Sequence, residues 1–264
     1  MHGRTEPIKL IFCTDGIFPH LIGGMHCHSL FLIEELAKTG KVNIIAIHPH
    51  KERVFDKELN IKEIVIEGIN KSKIYLLESY RYSKRIYPIL RRYSDYIIYS
   101  QGLSVWYKIG KFSSRLIINP HGLEPYQTIS AKDFLIGLPF KIIFNYLFSH
   151  SARVISLGGD LTNILRANIK DVSKIVVLPN GVNLREGDSL FKRLKANSGT
   201  LKLLFVGRFA SNKGINILLR AAKELNNEGY ADKIAYYLAG EGRLYKYYTN
   251  NFQYRNVKYL GFVL

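Results

Sequence analysis

The sequence predicts an α/β protein built on parallel sheets, and three observations lead there. Short runs rich in Ile, Val, Leu and Phe alternate with longer helical stretches, the pattern of strand–helix–strand units. Gly, Pro and polar residues punctuate the boundaries between these runs. A length of 264 residues with 47% hydrophobic content is enough for two modest domains with their own cores.

In chain order, "IKLIFCT" (8–14) reads as a buried strand and "SLFLIEELAKTG" (29–40) as a helix closed by Gly40. "VNIIAIH" (42–48) and "IKEIVIE" (61–67) are the second and third strands. A helical stretch over 74–93 precedes the strand "DYIIYS" (95–100). Strands follow at "RLIINP" (115–120), "ARVISLG" (152–158) and "KIVVLPNGVN" (174–183), the last with an Asn-Gly turn. These make a first domain over residues 1–183. The polar segment "LREGDSLFKRLKANSGT" (184–200) reads as a linker. A second α/β unit then occupies 201–264: strand 201–207, helix 214–228, strand 233–240, a short helix and strand 256–262. Three strands and two helices are few for an independent domain, so this one is expected to be incomplete.

The formal charge of +17 favours an anionic partner: nucleic acid, an acidic membrane surface or a phosphorylated substrate. The abundance of Ile, Lys, Asn and Tyr leaves compositional bias open as its source. Two cysteines, Cys13 and Cys27, are too few for a disulfide framework and point to a reducing compartment. The N-terminus has no signal-peptide pattern, and no uncharged apolar run reaches the ~18 residues of a membrane span. The nearest candidate, "FLIGLPFKIIFNYLF" (134–148), is interrupted by Pro139 and Lys141, and reads as core before anchor. A cytoplasmic protein, soluble or peripheral at a membrane, is expected.

Three motifs carry possible chemistry. Gly23 and Gly24 follow the first strand and open the first helix, where unpaired N–H groups and the helix dipole suit an anion. Nearby His20, His26, Cys27 and His28 suggest a metal, but helical ligands stand at i and i+4 and these do not. In "VGRFASNKGI" (206–215), Arg208 directly follows a strand and Lys213 opens a helix. A guanidinium fork and an ammonium there suit a diphosphate at the carboxyl end of parallel strands. "INPHGLEPY" (118–126) sets His121 and Gly122 on the same kind of edge.

Taken in order, these pieces resemble the glycosyltransferase family 4 group of retaining, nucleotide-sugar-dependent enzymes with the GT-B fold. The matching segments are Gly23-Gly24 with "FLIEELAKTGKV", "PHGLE" (120–124), "SARVISLGGDLTNIL" (151–165), "VLPNGVN", "FVGRFASNKGINILLRAAKEL" (205–225), "LAGEG" (238–242) and "VKYLGFV" (257–263). The resemblance implies two Rossmann-like domains across a cleft, with acceptor on the first and nucleotide sugar on the second. It implies that Gly23 and Gly24 sit near the donor phosphate and that Arg208 and Lys213 neutralise the diphosphate. It gives His121 the place beside the transferred sugar, and Asn180 and Gly181 the lining of the cleft. Gly240, Gly242 and the backbone near Phe262 approach the nucleoside. No Asp-x-Asp occurs in the sequence, so no metal or other cofactor is expected and the fixed cations take that role. Retention in this group is ascribed to same-face attack assisted by the leaving phosphate.

In the family, the strand resembling "VKYLGFV" is followed by a Glu-x7-Glu motif that holds the donor sugar and ribose. The sequence stops at Leu264 before such a motif, so impaired catalysis is expected of it as written. The alternative is a non-catalytic remnant or subunit that binds acceptor, membrane or a full-length partner. A GT-B sugar-nucleotide epimerase fits the Gly-Arg-Phe…Lys-Gly segment less well. Residues 71–93 carry seven Lys/Arg against one Glu, interleaved with five tyrosines. That pattern is open between an interfacial surface for anionic lipid, as a lipid-linked rather than saccharide acceptor would favour, and a solvated helix face. Nucleic acid is not expected, because no recognised nucleic-acid motif accompanies the basic stretch.

Overall fold

The computed structural model describes residues 6–70, 72–128, 131–181 and 199–263. Most of the expected linker, 184–198, lies outside them, as do residues 182 and 183 of the expected seventh strand. The chain divides into two compact units, Met1–Val182 and Asn183–Leu264.

The first unit is a seven-stranded sheet, β1 (Ile8–Cys13), β2 (Val42–His48), β3 (Ile61–Val65), β4 (Ile97–Gln101), β5 (Leu116–Asn119), β6 (Arg153–Ser156) and β7 (Ile175–Val177). All neighbouring pairs are parallel, in the order β3-β2-β1-β4-β5-β6-β7. Leu10 of β1 pairs with Ile44 on one side and Ile97 on the other, so β1 and β4 lie together where the strand order reverses. Side chains alternate faces with period two. Ile11, Cys13, Ile45, Ile47 and Ile98 enter one core with Tyr82, Ile86, Phe144 and Phe148. Leu10, Phe12, Ile44, Ala46 and Tyr99 enter the other with Ile33. Each fully buried side chain of this size contributes about 1.5–3 kcal/mol, so both faces of the sheet hold the fold.

Helices α1 (Gly24–Lys38), α2 (Tyr75–Arg92), α3 (Ala131–Ser149) and α4 (Asp160–Asn168) cover those faces. α1 starts at Gly24, five residues before the apolar pattern suggested, and ends as expected with Gly40 in the left-handed region just beyond Thr39. α3 continues through Pro139, whose ring is exposed, so the helix loses one backbone bond without a buried clash. α4 was not foreseen. Its "DLTNILRAN" is short, and only Thr162 and Leu165 are buried. No helix among the described residues is long and apolar enough to cross a membrane.

The second unit has strands β8 (Leu201–Val206), β9 (Ile234–Ala239) and β10 (Val257–Gly261), all parallel in the order β10-β9-β8. Helices α5 (Ile215–Asn227) and α6 (Tyr245–Asn251) close a core of Phe209, Ile215, Leu219, Tyr236, Leu238 and Tyr248. On β8, Leu204 and Val206 stand 67% and 74% exposed, so these apolar side chains lie away from that core.

Candidate functional site

In open parallel sheets, ligands gather outside the carboxyl ends of the strands where the strand order reverses. In the first unit that point lies between β1 and β4. The chain leaving β1 is fixed by Thr14, whose hydroxyl donates to the Gly16 carbonyl at 2.8 Å and accepts from the Gly16 amide. It is fixed further on by the Ile17 amide, which donates to His50 Nε2 at 2.8 Å. Gly23, with φ +157, turns the chain into α1, and its carbonyl accepts from the amides of His26 and Cys27. No side chain caps this helix start, and a Cβ placed on Gly24 would meet nothing within 4 Å. The turn thus presents open backbone at a positive dipole end.

Beside it stands His121, two residues beyond β5. It is a non-glycine residue in the left-handed region, with φ +59. Its amide donates to Asn119 Oδ1 at 3.0 Å, and its Nε2 contacts Gln101 Oε1 at the end of β4. Asn119 in turn donates to Tyr99 at 3.0 Å and reaches His28 Nε2 at 3.5 Å. His28 packs edge-on to His121, with ring centroids 4.8 Å apart, and has Asn180 beside it. Burial, with His28 and His26 close by, pushes the His121 imidazole down to about 3, so it is neutral at ordinary pH. Burial lowers His28 as well, against the neighbouring Asn180, which favours its cation.

The candidates for metal separate in this structure. His28 joins the His121 network, His26 sits 3.8 Å from Asp15, and His20 stacks on His50 with centroids 4.5 Å apart. Among the described residues no group of three His, Cys, Asp or Glu side chains could hold a metal ion. Cys13 is buried in the core and Cys27 is half-buried on α1.

In the second unit, Gly207-Arg208-Phe209 follows β8. Phe209 is fully buried, which anchors the segment and leaves the Arg208 side chain exposed. Lys213 is exposed too, in the turn before Gly214 (φ +75), which opens α5. No ion pair or hydrogen bond engages either cationic side chain among the described residues, so both are available to an anion. Gly240 and Gly242 serve the same segment from the next loop. A Cβ on Gly242 (φ +153) would lie 2.8 Å from the Phe209 carbonyl, and one on Gly240 (φ +128) would overlap the Gly207 carbonyl. The gap between the loops is bridged by Phe209 N–H to the Glu241 carbonyl at 2.9 Å and Leu244 N–H to the Phe209 carbonyl at 3.0 Å. Backbone packing therefore gives both glycines a reason independent of any nucleoside. Phe262, just past β10, is exposed.

Within the first unit, then, the structure brings together His121, His28 and Asn180, while Gly181 and Gly24 lie exposed. Sequence reasoning missed Gln101, Asn119 and Tyr99. A signal existed for the first two, because each closes a strand at the carboxyl edge where site residues gather.

No family model matches the chain. It is 25% identical over 247 residues to an uncharacterized glycosyltransferase of Methanocaldococcus jannaschii, covering 89% of this chain. The chain spans 60% of the length of that relative. Among solved structures, WaaG, a glycosyltransferase involved in lipopolysaccharide biosynthesis, superposes with a TM-score of 0.65 at 14% identity, over 96% of this chain and 70% of that one. The catalytic domain of starch synthase IV from Arabidopsis thaliana, bound to ADP and acarbose, gives 0.65 at 13% identity over 98% and 75%. Anabaena HepE in complex with UDP and glucose gives 0.57 at 14% identity over 97% and 70%. At such identities the likeness establishes the fold, which is the α/β fold of GT-B glycosyltransferases.

Proposed function

We propose that this chain is a retaining glycosyltransferase of the family 4 type, moving a sugar from a nucleoside-diphosphate sugar to a saccharide or lipid-linked acceptor. The observation that carries the reading is His121, held in a left-handed backbone at the carboxyl edge by Asn119 and Gln101. A costly backbone conformation kept at a sheet's ligand-binding edge is the mark of a functional position. The similarity to a glycosyltransferase relative and to structures bound to UDP or ADP supports the donor class.

Glycosyl transfer builds positive charge on the sugar ring and negative charge on the departing diphosphate. Arg208 and Lys213 neutralise that diphosphate, the arginine by a bidentate grip and the lysine as a point charge. The open backbone at Gly23 and Gly24 offers N–H groups to a donor phosphate. His121 is neutral, so it can hydrogen-bond a sugar hydroxyl without adding charge beside an oxocarbenium-like centre. Gln101 and Asn119 hold the ring and backbone of His121 as positioning residues.

Calorimetry with UDP, ADP and their glucose conjugates, in the presence of EDTA, tests the reading. We expect binding by at least one of them, weakened about tenfold or more by Arg208→Ala, the loss of one charge-assisted contact. Failure of every nucleotide to bind at millimolar concentration, or binding indifferent to Arg208→Ala, would overturn it.

A further inference from the structure

A cleft of about 530 Å³ opens in the first unit between α2, α3 and the chain leaving β4, a size that suits a small ligand. Tyr80, Trp106, Tyr107, Lys108, Ile142 and Tyr146 are among the residues that line it. None of them belongs to the His121 network, so the cleft is separate from the carboxyl-edge site.

The segment that supplies Trp106 and Lys108 is held firmly in place. Buried Ser83 of α2 accepts from the amides of Trp106 and Tyr107 at 2.7 and 2.8 Å, and Ser100 accepts from the Val105 amide at 3.1 Å. Lys108 then takes a left-handed backbone (φ 50), a costly conformation for any residue but glycine. The polar groups so placed lack partners. The Trp106 indole N–H is covered and makes no hydrogen bond, and a buried donor of this kind calls for an acceptor. Tyr80, 41% exposed, packs edge-on to the indole and can turn outward to uncover it. The Lys108 ammonium stands 5.4 Å from the Tyr107 ring centre and 5.7 Å from that of Tyr87. No carboxylate pairs with it among the described residues.

The walls select the ligand. Tyr80 crosses Trp106 at 72° and Tyr107 at 82°, and Tyr107 crosses Tyr87 at 83°. Rings set at right angles leave no parallel slot for a planar base. An aliphatic chain would fill the space but leave the indole N–H unpaired and the ammonium desolvated, both at a cost. A pyranose answers each wall. Its C–H faces pack on the aromatic and isoleucine side chains, and its hydroxyl oxygens accept from the indole. A carboxylate on the same ring meets Lys108. We propose that this cleft is a second saccharide site, taking an acidic oligosaccharide and holding it away from the His121 centre. The proposal goes beyond glycosyl transfer and needs no donor nucleotide, so the two readings fail separately.

The test is titration of the 264-residue chain with tetragalacturonic acid and with maltotetraose at physiological ionic strength, following emission of the single tryptophan, Trp106. We expect the acidic tetrasaccharide to change that emission and to bind about tenfold more tightly than the neutral one. Lys108→Asn keeps a residue that tolerates the left-handed backbone, and should abolish the preference while leaving neutral binding unchanged. Tyr146→Ala, solvent-facing and so compatible with folding, should weaken both ligands about fivefold. Trp106→Phe keeps a ring without the N–H, and should cost about fivefold by calorimetry. The proposal is overturned if neither saccharide perturbs Trp106 or if the neutral one binds as well as the acidic one. Variants that bind like the parent would also overturn it, by leaving only the net charge of +17 as the attraction. So would AMP or laurate binding the cleft more tightly than the acidic saccharide.

Discussion

Gly240 lies so near the Gly207 carbonyl that even a methyl group there would have to displace backbone, and its φ of +128 disfavours any L side chain. Gly240→Ala should therefore destabilise the second unit by about 3 kcal/mol, combining steric and conformational costs, as read by urea unfolding. Gly24→Ala, where the added methyl meets open space, should leave stability within about 1 kcal/mol. That contrast separates a glycine required by packing from one whose openness can serve a ligand. His121 calls for a different substitution. Asn tolerates the left-handed backbone that Ala does not, so His121→Asn removes the imidazole and keeps the turn. If the proposed activity holds, transfer should fall on the order of 100-fold while nucleotide affinity changes little. An equal loss of both would place His121 in ground-state binding.

Among elements, α2 shows how one side chain can finish a helix. Arg115, just before β5, donates to the carbonyls of Leu90, Tyr93 and Tyr96 at 2.7, 2.9 and 2.5 Å. One planar fork thereby satisfies carbonyls of the last turn and the cap of α2, and ties them to that of Tyr96 just before β4. Arg115→Met should cost about 1–3 kcal/mol in chemical denaturation, and Arg115→Lys should recover only part of it. A lysine that restored full stability would show that charge alone suffices. Nothing in the sequence around Arg115 announces this role, since its partners lie 19 to 25 residues upstream. β2, by contrast, was fully legible: the apolar run "IIAI" within "VNIIAIH" is buried on both faces of a parallel sheet. α1 began early because its first turn, "GMHC", is chosen for backbone exposure and not for apolar periodicity. α3 packs on the core as expected, but which of its faces does so was not legible. Apolar on both sides, it gives no amphipathic signal from which to tell core from surface.

For the whole molecule, acid is the informative variable. Burial lowers the imidazoles of His28, His48, His50 and His121, with His50 at about 4 and His121 at about 3. An unfolded histidine protonates near 6.5. Below that pH the unfolded chain takes up protons that the folded first unit refuses. Stability should thus be flat above 6.5 and fall as the pH drops toward 4. Scanning fluorimetry should record several degrees lower Tm at pH 5 than at pH 7, and His50→Gln should flatten the curve. A profile unchanged between those pH values would count against buried neutral histidines. Arg208 and Lys213 were singled out by residue type and place in the chain, and both stand exposed after β8. Gln101 and Asn119 were overlooked although each closes a strand at the carboxyl edge, because their meeting around His121 appears only once β4 and β5 are neighbours.

The placement of the two thiols has a practical consequence. Cys13 is sealed in the core, where burial holds its thiol protonated, whereas Cys27 is half-buried in the first turns of α1 beside Gly23 and Gly24. A maleimide should therefore label a single site on the native chain. Its rate becomes a clock for whether the glycine turn is occupied, slowing when an anion settles there and running freely when none does.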